Sequence, residues 1–71
     1  MFKNKKIFVL GMARSGYSVA KILSKYKNDI TVTDMKEQEK DHVLELEKLG
    51  VKVIITNDPV ELLDETFDFV V

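Results

Sequence analysis

The sequence contains no cysteine and no tryptophan, only one proline, one histidine and three glycines. Without cysteine there can be no disulfide, thiolate nucleophile or zinc–cysteine site. The lone histidine, His42, has no second imidazole with which to build a metal site, and its charged helix predicts a solvated side chain. Neither sign of charge dominates: 11 basic residues stand against 12 acidic ones. Such a balance gives no electrostatic footprint for nucleic acid or for an anionic membrane surface. The apolar runs are strand-length, well short of the ~20 residues a membrane span needs. The basic start, Lys3-Asn4-Lys5-Lys6, precedes only such a run, which is too short for a secretory signal. A cytoplasmic protein is expected.

What remains is an ordinary globular composition, 45% hydrophobic and 32% charged, in 71 residues. That is enough for one small domain. A chain of ~60 residues buries only ~60% of its unfolded surface, so stability at this size is marginal.

The chain is organised around the stretch from Lys5 to Gly16. Ile7, Phe8, Val9 and Leu10 form an unbroken apolar run, which suits a strand buried on both faces of a parallel sheet. Gly11 ends it, and a helix is expected to open near Ser15 or Gly16. Val19, Ile22, Leu23 and Tyr26 then predict one apolar stripe against the sheet. Asn28 is the expected left-handed stop. Residues 30–34 read as a second strand, and 41–49 as a second helix that Gly50 terminates. Residues 51–56 read as a third strand. Asp58, Pro59 and Glu61 have the pattern of a capped helix start. Residues 67–71 read as a fourth strand. The alternation predicts an α/β fold, a Rossmann-like doubly wound parallel sheet of strand order 3-2-1-4. A chain whose last residues form an apolar strand is expected to be a fragment of a larger protein.

Residues 11–16 spell G-x-A-x-x-G. A glycine turn between strand and helix can hold an anion on unpaired N–H groups at the positive end of the helix dipole. Four readings compete. A nucleoside-triphosphate loop would need Lys and Ser/Thr next, where Tyr17 and Ser18 stand. An NAD site is supported by Asp34, which falls where an acidic residue binds ribose hydroxyls. It is opposed by Ala13, whose methyl replaces the glycine that lets backbone approach a pyrophosphate. A nucleotide-linked substrate held less closely fits both residues. Its diphosphate would lie on the N–H groups of Ala13 to Gly16 and on the Ser15 hydroxyl. Arg14 would supply charge at the mouth, and Asp34 would read the nucleoside. Finally, the turn could be purely architectural, with Ser15 as helix cap and Asp34 a solvated strand end. A phosphoacceptor receiver would need carboxylates after the first and third strands, and Leu10-Gly11 and Thr56-Asn57 are there instead.

The ordered set Val9-Leu10-Gly11-Met12-Ala13-Arg14-Ser15-Gly16, Ala20-Lys21-Ile22-Leu23, Val32-Thr33-Asp34 and the segment from Asp58-Pro59-Val60-Glu61 to Phe69-Val70-Val71 resembles the N-terminal start of the Mur ligases. The resemblance implies an ATP-dependent amide-bond-forming ligase of peptidoglycan synthesis, adding D-glutamate to UDP-N-acetylmuramoyl-L-alanine. It implies that residues 1–71 are a truncated UDP-substrate-binding domain. Gly11, Ala13, Arg14, Ser15 and Gly16 would hold the diphosphate, and Asp34, Met35 and Lys36 would face the uracil. No catalytic, cofactor or metal residue is expected in the chain itself. ATP and magnesium would belong to an absent central domain, and the amino acid mainly to an absent C-terminal one. Met35 departs from the Gly or Thr common there in relatives. The alternative to this reading is an NAD-binding Rossmann domain of a dehydrogenase or of a nucleotide-sensing regulator.

Overall fold

In the computed structural model, which describes residues 3–12 and 15–71, four parallel strands form one sheet in the order β3-β2-β1-β4. The strands are β1 (Lys6–Leu10), β2 (Asp29–Asp34), β3 (Lys52–Ile55) and β4 (Phe69–Val70). The helices are α1 (Ser15–Leu23), extended by a 3-10 turn at Ser24–Tyr26, and α2 (Lys40–Lys48). A second 3-10 turn, Pro59–Leu62, lies in the connection from β3 to β4. The expected parallel sheet and its strand order are both present.

Successive strand residues face opposite sides of a sheet, and the two sides are filled differently. Ile7, Val9, Ile30 and Val32 share one buried cluster with Ala20 and Leu23 of α1 and Leu46 of α2. On the other side Phe8 is fully buried and meets the Phe67 ring edge-on, with centroids 5.0 Å apart. Thr31 and Thr33 are buried as well. Two buried faces are why the first strand reads as a continuous apolar run and not as an alternation.

Several local expectations are corrected. The inner stripe of α1 is Gly16, Ala20 and Leu23, with Val19 partly covered. Ile22 is 54% exposed and Tyr26 38%. The helix lies so close to the turn that its inward positions take small residues. The left-handed residue after α1 is Lys27, at φ 58°, not Asn28. Asn28 instead secures the corner with its side chain, donating to the Leu23 carbonyl and accepting from the Lys5 N–H. Gly50, at φ 87°, does end α2.

The Asp58 signal yields four residues of 3-10 helix, and its side chain makes no capping bond. The Asp58 N–H donates to the Thr56 hydroxyl at 3.2 Å, and Leu63 has already returned to extended backbone. β4 is shorter than the five residues expected, although bonds to β1 flank it. Asp68 N–H donates to the Lys6 carbonyl, and Leu10 N–H to that of Val71.

Candidate functional site

The turn after β1 is built from backbone. Gly11 adopts φ 89°, and its N–H donates to the Thr33 carbonyl at 2.8 Å. Met12 is buried, and its carbonyl accepts the Tyr17 N–H at 2.8 Å. Gly16 is pressed against the turn, where an added Cβ would stand 1.8 Å from the Gly11 carbonyl oxygen. The two glycines therefore answer two separate demands. Gly11 needs a left-handed backbone, and Gly16 needs the absence of a side chain. Ser15 is exposed and is the first residue of α1 rather than the residue before it. Ala13 and Arg14 lie outside the described residues.

Asp34 closes the end of β2. Its Oδ2 accepts the Met12 N–H at 2.9 Å, and its Oδ1 accepts the Lys36 N–H at 3.0 Å. Its carbonyl accepts the Thr56 N–H at 2.9 Å. A carboxylate favours such contacts because N–H donors stabilise its charge. Asp34 is therefore not a merely solvated strand end: it is half-buried, and its side chain ties two segments together.

A cleft of about 410 Å³ opens between these segments, at the carboxyl ends of the strands. Of the residues expected at a ligand site, Gly11, Asp34, Met35 and Lys36 line it together. Leu10, Thr33 and Pro59 complete it, and sequence reasoning had not singled them out. The Pro59 signal was used up in reading a helix start. The walls at Leu10, Met35 and Pro59 are apolar, while Asp34 supplies acceptors and Lys36 a cation. Such a lining suits a flat, partly apolar ring with polar edges. Ser15 and Gly16 do not line this cleft; they open α1. The cleft sits outside the carboxyl ends of β1 and β2, the edge of an open α/β sheet at which ligands bind.

A second cleft, of about 490 Å³, lies between Glu37, Gln38, Lys40, Val43 and Ile55. None of the expected site residues lines it.

The strongest electrostatic cluster bridges α1 and α2. Lys21 Nζ lies 2.8 Å from Glu45 Oε2, and the Tyr17 hydroxyl donates to Glu45 Oε1. The hydrogen bonds from Lys21 and then Tyr17 hold the Glu45 carboxyl below its ordinary value. The same bonds raise Lys21 and Tyr17. His42 stacks on the Tyr17 ring, with centroids 4.3 Å apart and planes 22° apart. The His42 side chain is 46% exposed, in keeping with the expected solvated histidine, with Tyr17 covering one ring face. None of these four residues lines either cleft.

Among the described residues no group of three His, Asp or Glu side chains is placed to hold a metal ion. No helix among them is long and apolar enough to cross a membrane.

No protein-family model matches the chain. It is, however, similar along nearly its whole length to bacterial enzymes named UDP-N-acetylmuramoylalanine--D-glutamate ligase. Against that of Enterococcus hirae it is 50% identical over 70 residues, 97% of this chain and 15% of the relative. Against that of Lactobacillus gasseri it is 44% identical over 72 residues, covering 99% of this chain and 16% of the relative. Against that of Geobacillus sp. (strain WCH70) it is 42% identical over 71 residues, with the same coverages. The chain thus spans about one sixth of the length of these relatives.

Proposed function

We infer that this chain is a part of a Mur ligase, a UDP-N-acetylmuramoylalanine--D-glutamate ligase, and that it is the part that binds the UDP end of the substrate. Identity of 42–50% along nearly the entire chain supports the family. The observation that carries the binding role is the meeting of the Gly11 turn and the end of β2 at one cleft.

In this reading the chain does no chemistry itself. It holds UDP-N-acetylmuramoyl-L-alanine by the nucleotide, so that the carboxylate to be activated projects toward the rest of the enzyme. The diphosphate lies at the start of α1, where the first N–H groups lack helical partners and the helix dipole is positive. The diphosphate's contacts are Gly11, Ala13, Arg14, Ser15 and Gly16, the residues that the resemblance to the Mur ligases implies. The uracil enters the cleft between Met35, Lys36 and Asp34. The Asp34 carboxylate is an acceptor group at the cleft, and the uracil N3–H is a donor of the kind it would read. ATP, magnesium and D-glutamate are held by parts of the ligase outside these 71 residues. The reaction is a step of peptidoglycan synthesis in the cytoplasm.

The test is shift mapping by NMR with UDP, UMP and NAD, on this chain and on a version extended past Val71. UDP should move the amides of Gly11, Gly16, Asp34, Met35 and Lys36, more strongly in the longer chain. Tighter binding of NAD than of UDP to the longer chain would overturn the ligase reading in favour of a dehydrogenase-type domain.

A further inference from the structure

We propose that Asp34 is a positioning residue that couples the diphosphate end of the site to the base end, a role that rests on the UDP-substrate reading above. Its two carboxylate oxygens accept N–H groups from two separate segments beside the cleft. Met12 belongs to the turn before α1, 22 residues earlier in the chain, and Lys36 to the loop after β2. The strut has a fixed base. The backbone of Asp34 is held by the Thr56 N–H, and the neighbouring Thr33 carbonyl by the Gly11 N–H.

This arrangement has two physical consequences. The first concerns geometry. The bond to Met12 N–H sets the plane of the Gly11–Met12 peptide, and the Met12 carbonyl in turn accepts the Tyr17 N–H of α1. The bond to Lys36 N–H sets the loop that carries Met35 and Lys36 on the cleft wall. A shift of the carboxylate therefore moves both halves of the site together. The second concerns charge. Because Asp34 already occupies the Met12 N–H, that amide is not offered to a phosphate. An anionic side chain at the cleft also drives a diphosphate toward the helix end and leaves the cleft to the uncharged base. The ligand's orientation, base inward and phosphates toward α1, follows from one carboxylate.

Asp34→Asn separates this role from simple contact with the nucleoside. The carboxamide keeps one acceptor, but its NH₂ must face one of the two N–H donors, so one strut bond is lost whichever way it turns. Ligand-free amide hydrogen exchange at Met12 and Lys36 is measured first, in the wild type and in D34N. D34E, which keeps the charge but displaces it by a methylene, replaces D34N if D34N does not fold. Titrations with UDP, uridine and inorganic pyrophosphate follow, read by NMR shifts.

Faster exchange at Met12 or Lys36 is expected, together with UDP binding weakened about tenfold, the scale of one charge-assisted hydrogen bond. Pyrophosphate binding should change too, although pyrophosphate carries no base to meet Asp34. Equal losses for uridine and UDP, with pyrophosphate binding and both amides unchanged, would reduce Asp34 to a ligand contact and overturn the proposal. If wild-type chain, extended past Val71, shows no UDP shifts at the cleft, the substrate reading fails instead. The exchange data then still decide whether the carboxylate ties the two segments.

Discussion

The Cα of Gly16 rests against the peptide of Gly11, so that a methyl group at position 16 would lie 1.8 Å from the Gly11 oxygen and 2.9 Å from its carbon. Both atoms are backbone and neither can swing aside. Gly16→Ala must push α1 away from β1, at a cost of about 3 kcal/mol or more. A domain of this size has on the order of 4–10 kcal/mol in total. Urea denaturation should show a large fall in midpoint; an unchanged midpoint would mean that helix and strand are not in this contact.

Gly50→Ala is expected to behave differently. Gly50 has φ 87°, but nothing lies within 4 Å of an added Cβ. Its cost is backbone conformation alone, about 1 kcal/mol, or a Tm lower by about 4–8 °C. A loss as large as that of Gly16→Ala would contradict the open surroundings of this turn.

Ser15→Ala separates binding from stability. Ser15 is exposed and already helical, so the variant should melt within about 0.5 kcal/mol of the wild type. Its affinity for UDP should fall, while that for uridine should not. A stability loss of about 1 kcal/mol with unchanged UDP affinity would return Ser15 to a capping role.

The bridge between α1 and α2 makes stability depend on pH in a defined direction. Glu45 is held below its ordinary value by Lys21 and Tyr17. Its contribution is therefore complete above the unfolded carboxyl's pKa, about 4.3, and is lost as pH falls through the lower folded value. Lys21 and Tyr17 are raised, so their contributions are complete below about pH 10 and vanish at higher pH. The stability gap between wild type and Glu45→Gln should be widest near neutrality and close at both extremes. A gap that is constant from about pH 3 to about pH 7 would show that the bridge does not form in solution.

Phe67→Ala removes the edge-on partner of Phe8 and the ring beneath the Lys6 ammonium, which lies 4.5 Å from its centroid. A loss of about 1.5–3 kcal/mol is expected from burial and ring geometry together. Phe67→Leu should recover most of the burial part. Equal losses for the two variants would assign the contribution to the aromatic contacts alone.

The sheet was legible because a strand covered on both faces tends to a near-continuous apolar run. Residues 7–10 satisfy that, and the glycine turn that follows leaves room for a helical crossover. The inner face of α1 was not legible in the same way. Hydrophobicity favours Ile22 and Tyr26, but the closeness enforced at Gly16 selects Gly16 and Ala20, whose merit is being small. Asp58 and Pro59 carried a sound helix-start signal, and the short span to β4 allowed it only one 3-10 turn. For Asp34, sequence showed an acceptor at the end of a strand. That its oxygens would each find a backbone N–H, one of them on Met12, depends on how β1 and β2 are paired, which no local pattern contains.

The pairing of β4 with β1 bears on how the chain folds. Lys5 and Asn28 meet across 23 residues of sequence, whereas Lys6 and Asp68 meet across 62. Closing the longer loop costs more entropy and is rewarded later. The unit from β1 through α1 to β2 can therefore assemble first, and β4, with only two residues in the strand, docks on an edge already formed. In the native state the same order runs backwards. The Val71 N–H, bonded to Phe8, should exchange with solvent through a local opening that leaves the β1–β2 ladder intact, making this edge the first part of the sheet to come undone.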